Sequence, residues 1–460
     1  MHRLLLGFIA LSCALFAQSP LGTVTGLVVD PSGAAVPNAA IFLKNTDTNV
    51  ESRSQSNDAG VYVFANVLPG DYQLRVEAKG FKQLATSPFP VAAFRTVRTD
   101  LHVVVGDTIN TVEVQGEVAS VLQAESASVS TSLSMKALRE LPTTLRSVSN
   151  NAGDSGLISQ MMPLTIPGLV QVGAGAAWVT PGAGANSVKT KVDGIESNFG
   201  NFGTPDPVSQ PSMEAVGEFT ANLLSNKAEF GGMGMVTSVT RSGGNQYHGD
   251  LFWYGRNSAL DARNTFSTAK PYQNIHNYGA TFGGPLKKDK TFFQLTFDQT
   301  RGSRAYLFSP NVPTVAMRNG DFTGQAALRN PFSGVNPFDG NRILPQYISP
   351  QAKKAQELLF PLPNFGPESL TAANYRAAFN GPETHSIYEA RFDQNWSNAH
   401  SSFARYQWKK SDYEIPGARS TLPPESVGTS TNIREVHFAT VGDVLTLRPN
   451  MFNEARFGFV

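Results

Sequence analysis

Strict alternation of apolar and polar positions runs through the second half of the chain. In Thr291–Asp298, Phe293, Leu295 and Phe297 fall on one side, and Gln294, Thr296 and Asp298 on the other. The pattern returns where Tyr388, Ala390 and Phe392 alternate with Glu389, Arg391 and Asp393, and where Ala404, Tyr406 and Trp408 alternate with Arg405, Gln407 and Lys409. Near the end, Ala455, Phe457 and Phe459 are set against Glu454, Arg456 and Gly458. Successive side chains of a strand point to opposite faces, so each segment carries one apolar and one charged face. Segments of about ten residues with this pattern suit a transmembrane β-barrel. A soluble sandwich wetted on one side reads almost the same; the aromatics repeated on one face favour the barrel.

The first hundred residues read differently. Short apolar runs at Gly22–Val29, Ala40–Leu43, Val61–Phe64 and Tyr72–Val76 are separated by Asp30-Pro-Ser-Gly33, Asn57-Asp-Ala-Gly60 and Leu68-Pro-Gly-Asp71. Short strands punctuated by such turns predict a compact all-β sandwich. Val118–Asn150 is polar and Ser-rich, with a helix expected at Ser134–Leu141, capped by Ser134 and stopped by Pro142, and residues 151–210 are rich in Gly, Pro, Asn and Ser, with a strand at Ser187–Asp193. So much irregular chain is unusual in a soluble domain but suits a barrel lumen, where backbone can pair with a polar wall. Val236–Arg241 should then be the last strand inside. Ser242–Asn245 is expected to be a flexible turn, and His248–Asn257 the first wall strand. Gly283–Pro285 with Lys287–Lys290 forms a tight polar turn, and Arg301–Glu383 reads as one long extracellular loop.

Composition narrows the class. Charged residues are 16% and hydrophobic residues 41%, with 30 Phe. No internal apolar run reaches the roughly 18 residues of a membrane helix. A formal net charge of +1 gives no global field for nucleic acid. His2 and Arg3, then the apolar Leu4–Phe16, then Ala17 before Gln18-Ser-Pro20, follow the order of a secretory signal peptide. Cleavage is expected near Ala17, although Leu15 sits where a small residue is commoner, and Cys13 after Leu11-Ser12 allows a lipidation reading. Cys13 is the only cysteine, so the mature chain would hold no disulfide, thiol nucleophile or cysteine-ligated metal.

Two resemblances carry the reading further. Val24–Asp30, Asp58-Ala-Gly60, Leu68–Tyr72 and Lys79-Gly-Phe81 resemble the carboxypeptidase regulatory-like (prealbumin-like) domain, an accessory fold without zinc or catalytic residues. Glu218–Asn222, Ala228–Gly232, Val239–Gly249, Arg256–Asn264, Phe282–Phe293, Val312–Phe322, Ile348–Pro350 and Pro361–Asn364 resemble, in order, the Oar-like TonB-dependent receptors. Leu138–Pro142 and Val192-Asp-Gly194 are similar to the plug signatures of that family. The whole is therefore expected to be mainly β. A signal peptide (1–17) precedes a prealbumin-like β-sandwich (20–105), a mixed α/β plug (106–245) and an incomplete antiparallel transmembrane β-barrel (246–460). About seven wall strands are visible, against 8 in the smallest closed barrels and about 22 implied by the family, so the sequence is expected to be an N-terminal part.

What the family implies is binding and import of an extracellular solute across the outer membrane, driven by a TonB-type energy-transducing protein. The partners expected are that protein, outer-membrane lipid and a ligand the sequence does not name; nucleic acid is not among them. TonB pairs with an exposed extended segment, and Asp107, Thr108, Ile109, Val112 and Val114, within Asp107–Val114, are the candidate contact residues. The same octet could instead be the last strand of the sandwich or the first of the plug. The alternative function is a non-transporting surface, adhesion or carbohydrate-binding outer-membrane protein. No catalytic, cofactor or metal site is expected. Gly153-Asp-Ser-Gly156 imitates a serine-hydrolase loop without His and Asp in context. Gly173–Ala176 and Gly182–Asn186 lack a phosphate-loop Lys and read as packed plug loops. The seven histidines stand at no metal-ligand spacing.

Overall fold

The computed structural model describes residues 21–106, 112–114, 129–134, 166–172, 177–180, 182, 184, 187–199, 204–205, 209–224, 234–263, 265, 270–331, 338–366, 373–416, 428–448 and 451–460. The leader, with Cys13, and the loop at Gly153–Gly156 lie outside them.

The first unit contains β1 (Gly22–Val29), β2 (Ala40–Asn45), β3 (Glu51–Gln55), β4 (Val61–Val67) and β5 (Gly70–Glu77). The short strands β6 (Leu84–Thr86), β7 (Phe89–Val91), β8 (Thr96–Arg98), β9 (Leu101–His102) and β10 (Val112–Val114) follow. One sheet runs β4-β1-β8, with β9 also on β1; the other runs β10-β6-β5-β2-β3, with β7 on β5. Every second residue of β1, β2 and β5 is buried, so Val24, Val28, Ile41, Leu43, Leu74 and Val76 meet Tyr62, Phe64, Phe89 and Leu101 between the sheets. The Asp30 carboxylate accepts from Ser32 N, Ser32 Oγ and Ala34 N at 2.6–3.0 Å, which holds its pKa below the ordinary range and closes the first turn. The polar strand β3 had no periodicity to announce it; it forms because its backbone completes a sheet edge on β2.

The second unit comprises β11 (Val129–Ser134), β12 (Val170–Val172), β13 (Ala177–Val179), β14 (Val188–Val192), β15 (Ile195–Glu196), β16 (Asn198–Phe199) and β17 (Thr204–Pro205). A 3-10 turn at Met213–Ala215 leads to β18 (Val216–Leu224) and β19 (Gly234–Thr240). The main sheet runs β11-β18-β19-β14-β15, with β14 and β19 parallel. Val188, Val216, Phe219, Ala221 and Val236 pack with Ile166, Leu169 and Met213. Ser134 ends a strand, and the rest of the expected helix lies outside the described residues, which hold no α-helix in this unit. Gly182 and Gly184 are exposed, with nothing within 4 Å of an added Cβ, so the expectation of packed loops there was wrong.

The third unit is one antiparallel sheet of seven strands in sequence order: β20 (His248–Asn257), β21 (Gln273–Lys287), β22 (Thr291–Phe308), β23 (Ala377–Ser397), β24 (His400–Pro416), β25 (Thr429–Arg448) and β26 (Met451–Phe459). Among the described residues the sheet does not close, since β20 and β26 each pair with a single neighbour. Its burial is inside out. Gln407 and Lys409 are 0% and 1% exposed, whereas Tyr388, Phe392 and Tyr406 are 46–48% exposed. A soluble sandwich would bury the aromatics and wet the charges; a membrane wall does the reverse. Phe297, Tyr388 and Trp408 form an outward row with ring centroids 5.1 and 5.4 Å apart.

The long loop is shorter than expected: β22 runs to Phe308 and β23 starts at Ala377, leaving 309–376. Pro382 is tolerated within β23 because the strand pairs there only with β22, its pairing with β24 beginning at Glu383. Within the loop, α1 (Val315–Arg318) and α2 (Pro350–Leu359) are held by Arg318, which donates to the carbonyls of Pro313, Gln356, Phe360 and Pro361. Replacing Arg318 with alanine is expected to weaken the loop by roughly 1–3 kcal/mol by stripping these acceptors. Faster protease cleavage within 309–376, measured on the purified protein, is the readout; an unchanged cleavage rate would refute the clasp.

Candidate functional site at the plug and wall junction

The site forms where the second unit meets the inner, polar face of the third. Val192-Asp193-Gly194 turns between β14 and β15, with φ of 48° at Asp193 and 87° at Gly194. This turn aims the Asp193 carboxylate at the wall. Oδ1 accepts from Thr240 N at 2.9 Å and Oδ2 from Thr240 Oγ1 at 2.8 Å, which ties β14 to the end of β19. Arg391 of β23 lies 3.4 Å from Oδ1 and donates to Thr240 Oγ1 at 2.9 Å and to Thr240 O at 3.1 Å. Its other partner is Asp393 at 2.8 Å, which in turn accepts from Ser242 Oγ at 2.8 Å. Arg405 of β24 pairs with Glu389 at 2.9 Å and reaches Asp193 only at 3.8 Å. Arg456 of β26 donates to the Asp193 carbonyl.

A second contact lies along the wall. Ser212 donates its N–H to Glu389 Oε1 and its hydroxyl to Asp298 Oδ2, each at 2.6 Å. Asn277 donates to the other oxygen of Asp298 at 2.5 Å, and Gln407 donates to Gln210 O at 3.2 Å. Asp193, Glu389, Arg391 and Arg405 are at most 7% exposed, so these charges meet with little water between them. Such pairs add little net stability, but losing one member strands the other. The chemistry available is therefore a latch of exchangeable polar contacts. Among the described residues no group of three or more His, Cys, Asp and Glu could hold a metal.

The sandwich sits at the same end of the wall. Asn245 donates its N–H to Asp47 O at 2.8 Å and its amide to Thr48 O and to Asp289 Oδ1, and accepts from Asp289 N at 2.8 Å. One side chain thus joins the sandwich, the start of β20 and the turn after β21. Gly243 and Gly244 beside it are buried, and the expected flexible turn is instead a tightly wedged segment. A cleft of about 1370 Å³ between the units is lined by Asp47, Asp71, Arg95, Glu218, Arg241 and Arg448, among others. Burial, with Asp71 nearby, raises the Asp47 pKa against the opposing His248, and burial pushes Tyr72 up to about 12. A carboxyl raised in the folded state is penalised above its folded pKa and relieved as pH falls through it. Asp47→Asn should therefore tighten the sandwich at neutral pH, whereas Asn245→Ala should loosen it by about 1–2 kcal/mol. Limited proteolysis between residues 105 and 129 reads both; equal cleavage of the two variants would sink this account.

Of the candidate coupling residues, Asp107, Thr108 and Ile109 lie outside the described residues. Val112 and Val114 bound β10, which pairs in parallel with β6. The latch was not foreseen: Glu389, Arg391 and Arg405 had registered only as a polar face, and Asp193 only as part of a motif.

A family described as outer membrane beta barrel domain matches residues 239–460, and the carboxypeptidase regulatory-like domain matches residues 23–104. The TonB-dependent transporter Oar of Myxococcus xanthus is 26% identical over 296 residues, covering 61% of this chain and 26% of that protein. The chain is thus similar to that transporter and carries matches to both domain families. It spans about a quarter of the length of the curated relative it matches. Among solved structures, a mutant ferric enterobactin receptor from Pseudomonas aeruginosa aligns over 72% of this chain and 49% of its own, with 13% identity and a TM-score of 0.33. The minor pilin of Streptococcus agalactiae covers 20% of the chain and 48% of its own at 12% identity and a TM-score of 0.17. With scores this low, the relation is carried by sequence.

Proposed function

We propose that this chain serves in an outer-membrane TonB-dependent receptor, binding a solute outside the cell and admitting it through a plugged β-barrel. The observation that carries this reading is the polar character of the latch. Asp193, Ser212 and Thr240 meet the wall through ion pairs and hydrogen bonds. Water can replace such contacts when a plug shifts, whereas a dry apolar seam would resist movement. The relation to Oar supports the same reading. The partner is a TonB-type energy-transducing protein that adds a strand to Asp107–Val114. The leader at 1–17 directs export, and the sandwich lies in the periplasm, beside the short turn at Lys288–Lys290. Barrels keep their short turns on that side.

The test compares accumulation of a panel of glycans, peptides and metal chelates in cells with and without TonB, and in an Ile109→Pro variant. Proline removes a donor and blocks strand addition. The expected result is accumulation of one class that needs both TonB and Ile109. Accumulation indifferent to TonB would replace transport with an adhesion or carbohydrate-binding role.

A further inference from the structure

We infer that the lipid-facing side of the third unit carries a headgroup site for a phosphoethanolamine lipid, built from Arg301, Thr384, Lys410 and Asp412. The inference stands apart from transport and needs only the inside-out wall. Arg301, Thr384 and Asp412 are register partners across β22, β23 and β24, and all face outward at the end of the wall nearest the loop 309–376. Lys410 lies two positions from Asp412 on the same face, beside Ser386. The polar atoms around them are already engaged. Ser386 Oγ donates to Gln299 at 2.9 Å, Trp408 Nε1 donates to Glu435 at 2.7 Å, and Tyr406 Oη lies 2.6 Å from His437 Nδ1. Arg301, Thr384, Lys410 and Asp412 keep no side-chain partner among the described residues.

Adjacent strands lie about 4.8 Å apart, so Arg301 and Asp412 flank Thr384 at roughly 10 Å from one another, and Lys410 sits about 7 Å nearer the middle of the wall. Long basic side chains lay their stems on apolar surface and keep their charges at its margin. The Arg301 guanidinium, the Thr384 hydroxyl and the Lys410 ammonium can thus converge on one phosphate. Asp412, with Glu414 two positions beyond it, holds the opposite charge on the far side. Two cations followed by a carboxylate complement a headgroup whose phosphate is joined through two carbons to an ammonium bearing N–H. A headgroup with phosphate alone would be repelled by Asp412, and a trimethylated nitrogen would have no N–H to donate. On the membrane side of the site, the outward row of Phe297, Tyr388 and Trp408 offers the acyl chains an aromatic floor, with Tyr388 48% exposed.

Lipid selectivity tests this. The protein is extracted from outer membranes in mild detergent, stripped of lipid, and titrated with phosphatidylethanolamine, phosphatidylglycerol or phosphatidylcholine, with bound lipid counted by native mass spectrometry. Phosphatidylethanolamine should bind most tightly. Arg301→Gln combined with Lys410→Gln should weaken it roughly 30-fold, at about fivefold for each basic residue at a membrane surface. Asp412→Asn should bring phosphatidylethanolamine down to the phosphatidylglycerol value and leave phosphatidylglycerol no weaker. That variant keeps the shape of the side chain, so its result does not depend on the folding of the double variant. Equal binding of the three lipids by the parent, or unchanged phosphatidylethanolamine binding in the double variant, would overturn the site. A parent that prefers phosphatidylglycerol, or a phosphatidylethanolamine preference that survives Asp412→Asn, would leave a plain anion patch and overturn the phosphoethanolamine assignment.

Discussion

Replacing Asp193 with alanine should release the second unit from the wall at lower urea concentrations, because that unit would lose about 3–5 kcal/mol of its hold, the usual cost of stranding a buried charge. Arg391 would keep Asp393 but lose the carboxylate 3.4 Å away, and Thr240 would lose the acceptor for both its N–H and its hydroxyl. Arg405, already 3.8 Å from Asp193, would keep Glu389 and Gln407. Urea-dependent protease cleavage within the second unit, compared between parent and variant, reads the change. Pairing Asp193→Leu with Arg391→Met should restore part of the loss, since two apolar side chains in place of a buried pair are often neutral. An unaltered opening threshold in Asp193→Ala would mean that the latch holds nothing.

The second large effect is expected at Gly243. A Cβ there would lie 2.2 Å from Phe293 O and 2.9 Å from Gly284 O. Both are backbone atoms in the ladder between β21 and β22, with Gly284 and Phe293 direct register partners, so neither can retreat without breaking the sheet. Gly243→Ala should therefore cost more than the roughly 1–3 kcal/mol of ordinary overpacking. The β21–β22 ladder should fail to form properly, read as faster protease cleavage within residues 248–308. Gly184→Ala, where an added Cβ meets nothing within 4 Å, is the matched control and should fold normally. Normal folding of both would refute the wedge.

The wall was legible because membrane insertion imposes period two: His248–Asn257 appears as the strand its pattern predicts, and Phe293, Leu295 and Phe297 alternate with buried Gln294, Thr296 and Asp298. In the sandwich β1, β2, β4 and β5 were legible from their apolar runs, but not the two- and three-residue strands β6 to β9, nor β3, whose residues Glu51–Gln55 are polar and whose conformation is set by β2. The latch was not legible. Asp193 and Arg391 are 198 positions apart, and no local pattern says which lumenal charge faces which plug residue. The wedge was misread for a related reason. Two adjacent glycines look like freedom in a sequence, while in the structure they mark the place where backbones come closest.

The place of β11 at the margin of the second unit's main sheet sets how that sheet answers mechanical tension. Among the described residues β11 is joined to the sheet through β18 alone, along Val129–Ser134. A pull applied at β11 would peel one marginal strand before it reached β14, which leads into Asp193 from the opposite side of β18 and β19. Work done on the chain would then be spent in two stages. A soft first yield would come at β11, and a stiffer second yield only when the strain crossed the sheet to the carboxylate.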